Sequence, residues 1–103
     1  MYDDALNYYN EVLNLSPKLV YALTHKGCVL IELEKYEKAL NCFEKALKLD
    51  SDHSNAWHEK GNTLKKLGRH KEASQCYEKA LKIDPNFEEA KKSKKELEMI
   101  KTN

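Results

Sequence analysis

The sequence predicts an all-α protein, an α-solenoid of antiparallel helix hairpins with about six helices. Three observations carry this expectation. The phrase YNEVLNLSP at 9–17 returns as FEKALKLDS at 43–51 and as YEKALKIDP at 77–85, a period of 34 residues. Within each period the apolar residues recur at steps of three and four, the spacing of a single helix face. The composition agrees, since 103 residues with 41% hydrophobic and 34% charged side chains, but only three Gly and two Pro, suit one helix-rich domain.

Taken in order, residues 2–19 read as the second helix of an incomplete unit, through Tyr2, Ala5, Tyr9, Val12, Leu13 and Pro17. The helix that should precede it is not in the sequence. Ala5, Leu6 and Tyr9 would then present an apolar face, and such faces often mark association sites. A segment cut from a longer array accounts for this, and a homodimer in which another copy covers the face is the alternative.

Residues 20–53 and 54–87 are two full units. They share Ala22/Ala56, Lys26/Lys60, Gly27/Gly61, Leu30/Leu64, Leu33/Leu67, Ala39/Ala73 and Cys42/Cys76, while Phe43/Tyr77 and Leu49/Ile83 differ conservatively. Trp57, Gly61, Leu64 and Leu67 form one apolar stripe, and Ala73, Cys76, Tyr77, Ala80 and Leu81 form another. The breaks at Glu34-Lys35 and Gly68-Arg69 divide each unit into two helices of about 14 residues, an αα-hairpin. Gly27 and Gly61 fall mid-helix, where Gly costs about 1 kcal/mol relative to Ala. Glycine there implies a close helix crossing, with Ala39 or Ala73 opposite and the Phe43 or Tyr77 ring beside it. One hairpin cannot bury both faces of its second helix, so the next hairpin must stack on it. Glu34 with Lys38, Glu44 with Lys48 and Glu78 with Lys82 are i,i+4 pairs in the favourable order.

Residues 88–101 read as a capping helix. Asn86 precedes Glu89 by three residues, a capping-box-like start. Phe87, Ala90, Leu97 and Ile100 are expected to face the array, with Lys91, Lys92, Lys95 and Glu98 in water. Lys95 stands where the earlier first helices carry Gly27 and Gly61, so no further helix could pack closely over it. The lysines of this segment are offset by Glu88, Glu89, Glu96 and Glu98 and suit a solvated face.

With these residues in place, the chain resembles the tetratricopeptide repeat (TPR) family. The second unit carries Trp57, Gly61, Leu64, Gly68, Ala73, Tyr77, Ala80 and Pro85 at the family's positions, and the first carries Leu23, Gly27, Leu30, Tyr36, Ala39, Phe43 and Ala46. The first unit departs at Leu23, Glu34 and Ser51, where the family pattern has Trp, Gly and Pro. The resemblance is close over residues 2–87, and residues 88–101 resemble the family's solvating helix. It implies a right-handed superhelix whose first helices line a concave groove. By register the peptide-groove residues are Tyr21, Thr24, His25 and Cys28, then Asn55, His58, Glu59, Asn62 and Lys65. It further implies a non-catalytic protein-protein interaction scaffold holding a peptide or helix of a partner protein. Some family members clamp a C-terminal carboxylate with Lys and Asn on one first helix and with Asn, Lys and Arg on the next two. Here those places hold Thr24 and Cys28, then His58 and Asn62, then Ser93 and Glu89, so no binding of chaperone tails is expected.

Other functions find little support in the residues. Lys and Arg number 18 against 17 Asp and Glu, a formal charge of +1, which gives no clustered basic excess for nucleic acid or an anionic membrane. No apolar run approaches the roughly 20 residues of a membrane span. The opening MYDDALNYYN is acidic rather than signal-like. Three cysteines without a CxxC spacing fit free thiols in a reducing, cytoplasmic compartment. No catalytic motif, phosphate loop or cofactor signature is present, so no enzyme activity and no cofactor is expected. His25, Cys28 and His58 together fall short of the four ligands of a structural zinc site, and Cys42, Cys76 and Trp57 read as packing residues.

Overall fold

The computed structural model describes residues 1–101. It is built of helices α1 (Tyr2–Leu15), α2 (Val20–Glu32), α3 (Tyr36–Leu49), α4 (Ser54–Lys66), α5 (His70–Ile83) and α6 (Glu88–Lys101), with no strand among the described residues. They form two compact units, residues 1–51 with α1–α3 and residues from 52 onward with α4–α6.

In the first unit α2 and α3 make the hairpin. Leu30, Ala39, Cys42 and Phe43 form its buried cluster, and Leu6, Cys28 and Ile31 pack against it. The close crossing expected at Gly27 is present. A methyl group on Gly27 would stand 2.6 Å from two carbons of the Phe43 ring, well inside the 3.5–4.0 Å of ordinary carbon contact. Between α2 and α3 the chain turns through a Schellman motif. The Lys35 N–H donates to the Leu30 carbonyl at 2.8 Å and the Glu34 N–H to that of Ile31 at 2.9 Å. The residue between must be left-handed, and Glu34 takes φ 60° where a glycine is usual.

The second unit repeats this plan over α4 and α5. A methyl on Gly61 would meet the Tyr77 ring at 2.6 and 2.8 Å and the Ala73 carbonyl oxygen at 3.2 Å. Its turn carries the same motif, with Arg69 N–H to Leu64 O at 2.9 Å, and here Gly68 supplies the left-handed residue at φ 77°. The His53 ring caps α4, its Nδ1 accepting from the Ala56 N–H at 3.4 Å.

Four local expectations change. Ala5, Leu6 and Tyr9 do not form a bare face: they are half-buried, Leu6 on the first unit's core and Tyr9 on rings of α2. The most exposed apolar side chains of α1 are instead Tyr8 and Leu15, about a third of a helical turn away around the axis. On α6, Ala90 and Leu97 are fully buried but Ile100 is 47% exposed. Steps of 100° place it well off the line joining the other two. Asn86 does not cap α6 either, because the helix opens at Glu88 and the Asn86 N–H donates to Asp84 Oδ1 in a turn before it. None of the three expected i,i+4 pairs forms among the described residues: Lys38, Lys48 and Lys82 make no ion pair, and Glu78 reaches Lys94 of α6 at 3.9 Å.

Candidate functional site

Consider first the α2 residues expected to line a groove. Tyr21 is 52% exposed and lies 4.5 Å, centroid to centroid, from the exposed His25 ring. Tyr9 of α1 stacks on the same imidazole at 5.7 Å and 14°, and meets Tyr21 edge-on at 6.4 Å. Tyr8 extends the group through an edge contact with Tyr9 at 5.2 Å. The result is a platform of four rings on α1 and α2, of which Tyr8, Tyr21 and His25 are open to solvent. Aromatic rings combine apolar area with a polar rim, which suits them to hold a peptide. Thr24 and Cys28 do not join it. Thr24 is buried, with its hydroxyl donating to the Val20 carbonyl at 2.9 Å, and Cys28 packs on the hairpin core.

In the second unit the candidate residues do structural work. His58 is buried rather than open, with its Nε2 3.0 Å from the Ser93 hydroxyl of α6 and its ring against the edge of Phe87 at 5.0 Å. Burial holds its pKa below the usual 6.5, Lys65 acting in the same sense and Glu89 against it. Asn62 Oδ1 accepts from the Tyr77 hydroxyl at 2.6 Å. Burial pushes that phenol up to about 12. Glu59 lies 3.7 Å from His58 Nδ1, and Lys65 reaches Glu96 of α6 at 3.9 Å. Asn55 is exposed on the first turn of α4.

Comparison of the two units explains why. Where the second unit has Tyr77 and Asn62, the first has Phe43 and Cys28 at the equivalent positions. The ring that carries a hydroxyl is matched by a residue that accepts from it. The ring that carries none is matched by a small apolar thiol. A non-repeating residue on a first helix can thus serve packing, a signal visible only when two positions 15 apart are compared together. Among the described residues no three His, Cys, Asp or Glu side chains gather closely enough to hold a metal ion, and no helix is long and apolar enough to cross a membrane.

The tetratricopeptide repeat model matches residues 20–53 and 54–87, well over half of the chain. The chain belongs to the tetratricopeptide repeat family. Solved TPR structures share its fold. The first TPR of Spaghetti (RPAP3), bound to the HSP90 peptide SRMEEVD, is 22% identical, with 99% of this chain and 81% of that one covered at a TM-score of 0.95. The Arabidopsis OM64 TPR domain is 26% identical, covering 93% and 79% at a TM-score of 0.90. The second TPR domain of human RPAP3, in complex with the HSP70 peptide SGPTIEEVD, is 23% identical, covering 94% and 81% at 0.88. Comparison with curated proteins yields no significant match. The TPR pattern also accounts for the half-repeat spacing of α1, which lies 34 residues before α3.

Proposed function

We propose that this TPR chain is a non-catalytic, cytoplasmic interaction scaffold that takes a peptide or short helix of a partner protein on the exposed face of α2. The observation that carries it is the stacked Tyr9, Tyr21 and His25 platform, whose outer rings are solvent-exposed although apolar area is normally buried. In this arrangement α1 acts as the second helix of a half repeat, and residues 88–101 cap the array with Lys95 in water. The peptides in the RPAP3 structures end in the acidic sequence EEVD. The residues here favour a different ligand. Thr24 and Cys28 offer no cation, and His58 and Asn62 are engaged with Ser93 and Tyr77. We therefore assign an aromatic- or apolar-anchored peptide rather than a chaperone tail, with nucleic acid and membranes as no part of the function.

Selection from a random peptide library followed by calorimetry tests this assignment. Peptides recovered on the native chain should lose about tenfold or more in affinity on Tyr21→Ala and on His25→Ala, since one buried aromatic anchor commonly carries over 1 kcal/mol. Selected peptides that bind both variants as tightly as the native chain would place the interaction elsewhere. A second function, self-association, is favoured by the outer face of α1, where Tyr8 is 57% and Leu15 87% exposed. Light scattering on the native chain and on Tyr8→Asp with Leu15→Asp separates the two, because the platform rings other than Tyr8 are left intact. A dimer that persists in the double variant removes that alternative.

A further inference from the structure

The first unit contains a cavity of about 280 Å³ between α1, α2 and α3, on the side of α2 away from the aromatic platform. Its walls bear four lysines, Lys26, Lys35, Lys38 and Lys45, and no carboxylate. None of the four makes an ion pair among the described residues. Asn10 and Asn41 add amide donors, and Leu6 and Leu30 supply apolar floor. Cys42 lies among them. Burial pushes its thiol up, and Lys26 and Lys45 oppose that shift, which places both ammonium groups within electrostatic reach of the cavity wall.

The second unit is an internal control for this cluster. The residues equivalent to Lys26 and Lys45 are Lys60 and Lys79, and both lie over the Trp57 ring, at 5.4 and 5.8 Å from its centroid. The first unit has Leu23 in place of that indole. The residues equivalent to Lys35 and Lys38 are Arg69 and Glu72, which pair at 2.6 Å. In the second unit the protein itself supplies partners for these cations. In the first it supplies neither the ring nor the carboxylate, and adds a fourth positive charge.

We propose that this cavity is a binding site for a small phosphate-bearing anion. Cations crowded without counter-charge repel one another, and a multiply charged anion relieves that repulsion. The cations are all lysines, compact point charges of the kind that bind phosphate oxygens without a fixed fork geometry. The volume of about 280 Å³ suits a small anionic group, since it lies just below the range for drug-sized sites. The site is separate from the aromatic platform and does not depend on peptide binding there.

Titration of the full chain with inorganic pyrophosphate at constant ionic strength, followed by amide NMR, tests the assignment. Saturable shifts should concentrate around residues 26–45. Lys38→Glu restores the charge pattern of the second unit at an exposed position, so it should fold normally and weaken binding by about tenfold or more. Lys91→Ala, outside the cavity, should change nothing. A parallel titration with a phosphoserine tripeptide identifies the source of the phosphate: tighter binding than pyrophosphate at the same residues indicates a modified protein side chain, and weaker binding a free small molecule. Shifts that fail to saturate, that spread equally over Lys91, Lys92 and Lys95, or that survive Lys38→Glu unchanged would overturn the proposal.

Discussion

Replacing Gly61 by Ala sets two opposing effects against each other, and the packing around α5 decides which is larger. Helix propensity alone favours Ala by about 1 kcal/mol. The new methyl, however, would stand 2.6 and 2.8 Å from carbons of the Tyr77 ring and 3.2 Å from the Ala73 carbonyl oxygen. Relief requires roughly 1 Å of movement to reach normal contact. The ring is fully buried and its hydroxyl is tied to Asn62, so it cannot swing aside, and the Ala73 contact requires α5 itself to withdraw. Overpacking of this kind costs about 1–3 kcal/mol, and the backbone contact argues for the upper end. The net expectation is a loss of about 2 kcal/mol, or a fall in Tm on the order of 8–16 °C for a domain of this size. Gly27→Ala meets only the untethered Phe43 ring, so its net loss should be smaller, about 1 kcal/mol. Urea denaturation followed by far-ultraviolet circular dichroism measures both. In a Tyr77→Ala background, where the obstructing ring is gone and only the Ala73 carbonyl contact remains, Gly61→Ala should cost far less than it does in the native chain. A Gly61→Ala chain as stable as the native one, or less affected than Gly27→Ala, would refute the close-crossing account.

The two turns give a reciprocal pair of expectations. Glu34→Gly should stabilise by about 0.5–1 kcal/mol, because it relieves a left-handed non-glycine residue at some cost in unfolded-chain entropy. Gly68→Ala should destabilise by about 1 kcal/mol although nothing lies within 4 Å of the added methyl; thermal melts of the two variants check both. Tyr77→Phe should cost about 1 kcal/mol by leaving Asn62 without its donor, and adding Asn62→Cys, the first unit's combination, should recover part of that in a double-mutant cycle. The His58 pKa is held below 6.5 by burial, so the unfolded chain binds the proton more readily than the folded one. Stability should therefore be level above about pH 6.5 and fall as the pH drops below it. Denaturation midpoints collected between neutral pH and about pH 5 should decline less steeply in His58→Gln.

The helices and their turns were legible in the sequence because each depends on residues close together in the chain. Steps of three and four among Trp57, Gly61 and Leu64 define a helix face without reference to any neighbour. The breaks at Glu34 and Gly68 follow from the repeat itself, as does the meeting of each mid-helix glycine with the ring 16 residues later, since both members recur together. The candidate site was less legible. Tyr21 and His25 could be placed on one face of α2, but their contact with Tyr9 depends on how α1 lies against that helix. His58 has the spacing of a surface residue, yet it is buried where α6 brings Ser93 and the turn before α6 brings Phe87 against it, residues 35 and 29 positions away. Ile100 fits an apolar stripe, yet α6 turns it outward. The lysines around the first unit's cavity are spread over 20 positions and two helices, and their isolation from carboxylates is a property of three-dimensional distance. Periodicity specifies the angle of a side chain about its own axis. Which neighbour stands at that angle, and with what charge or hydrogen-bonding group, was decided by tertiary packing alone.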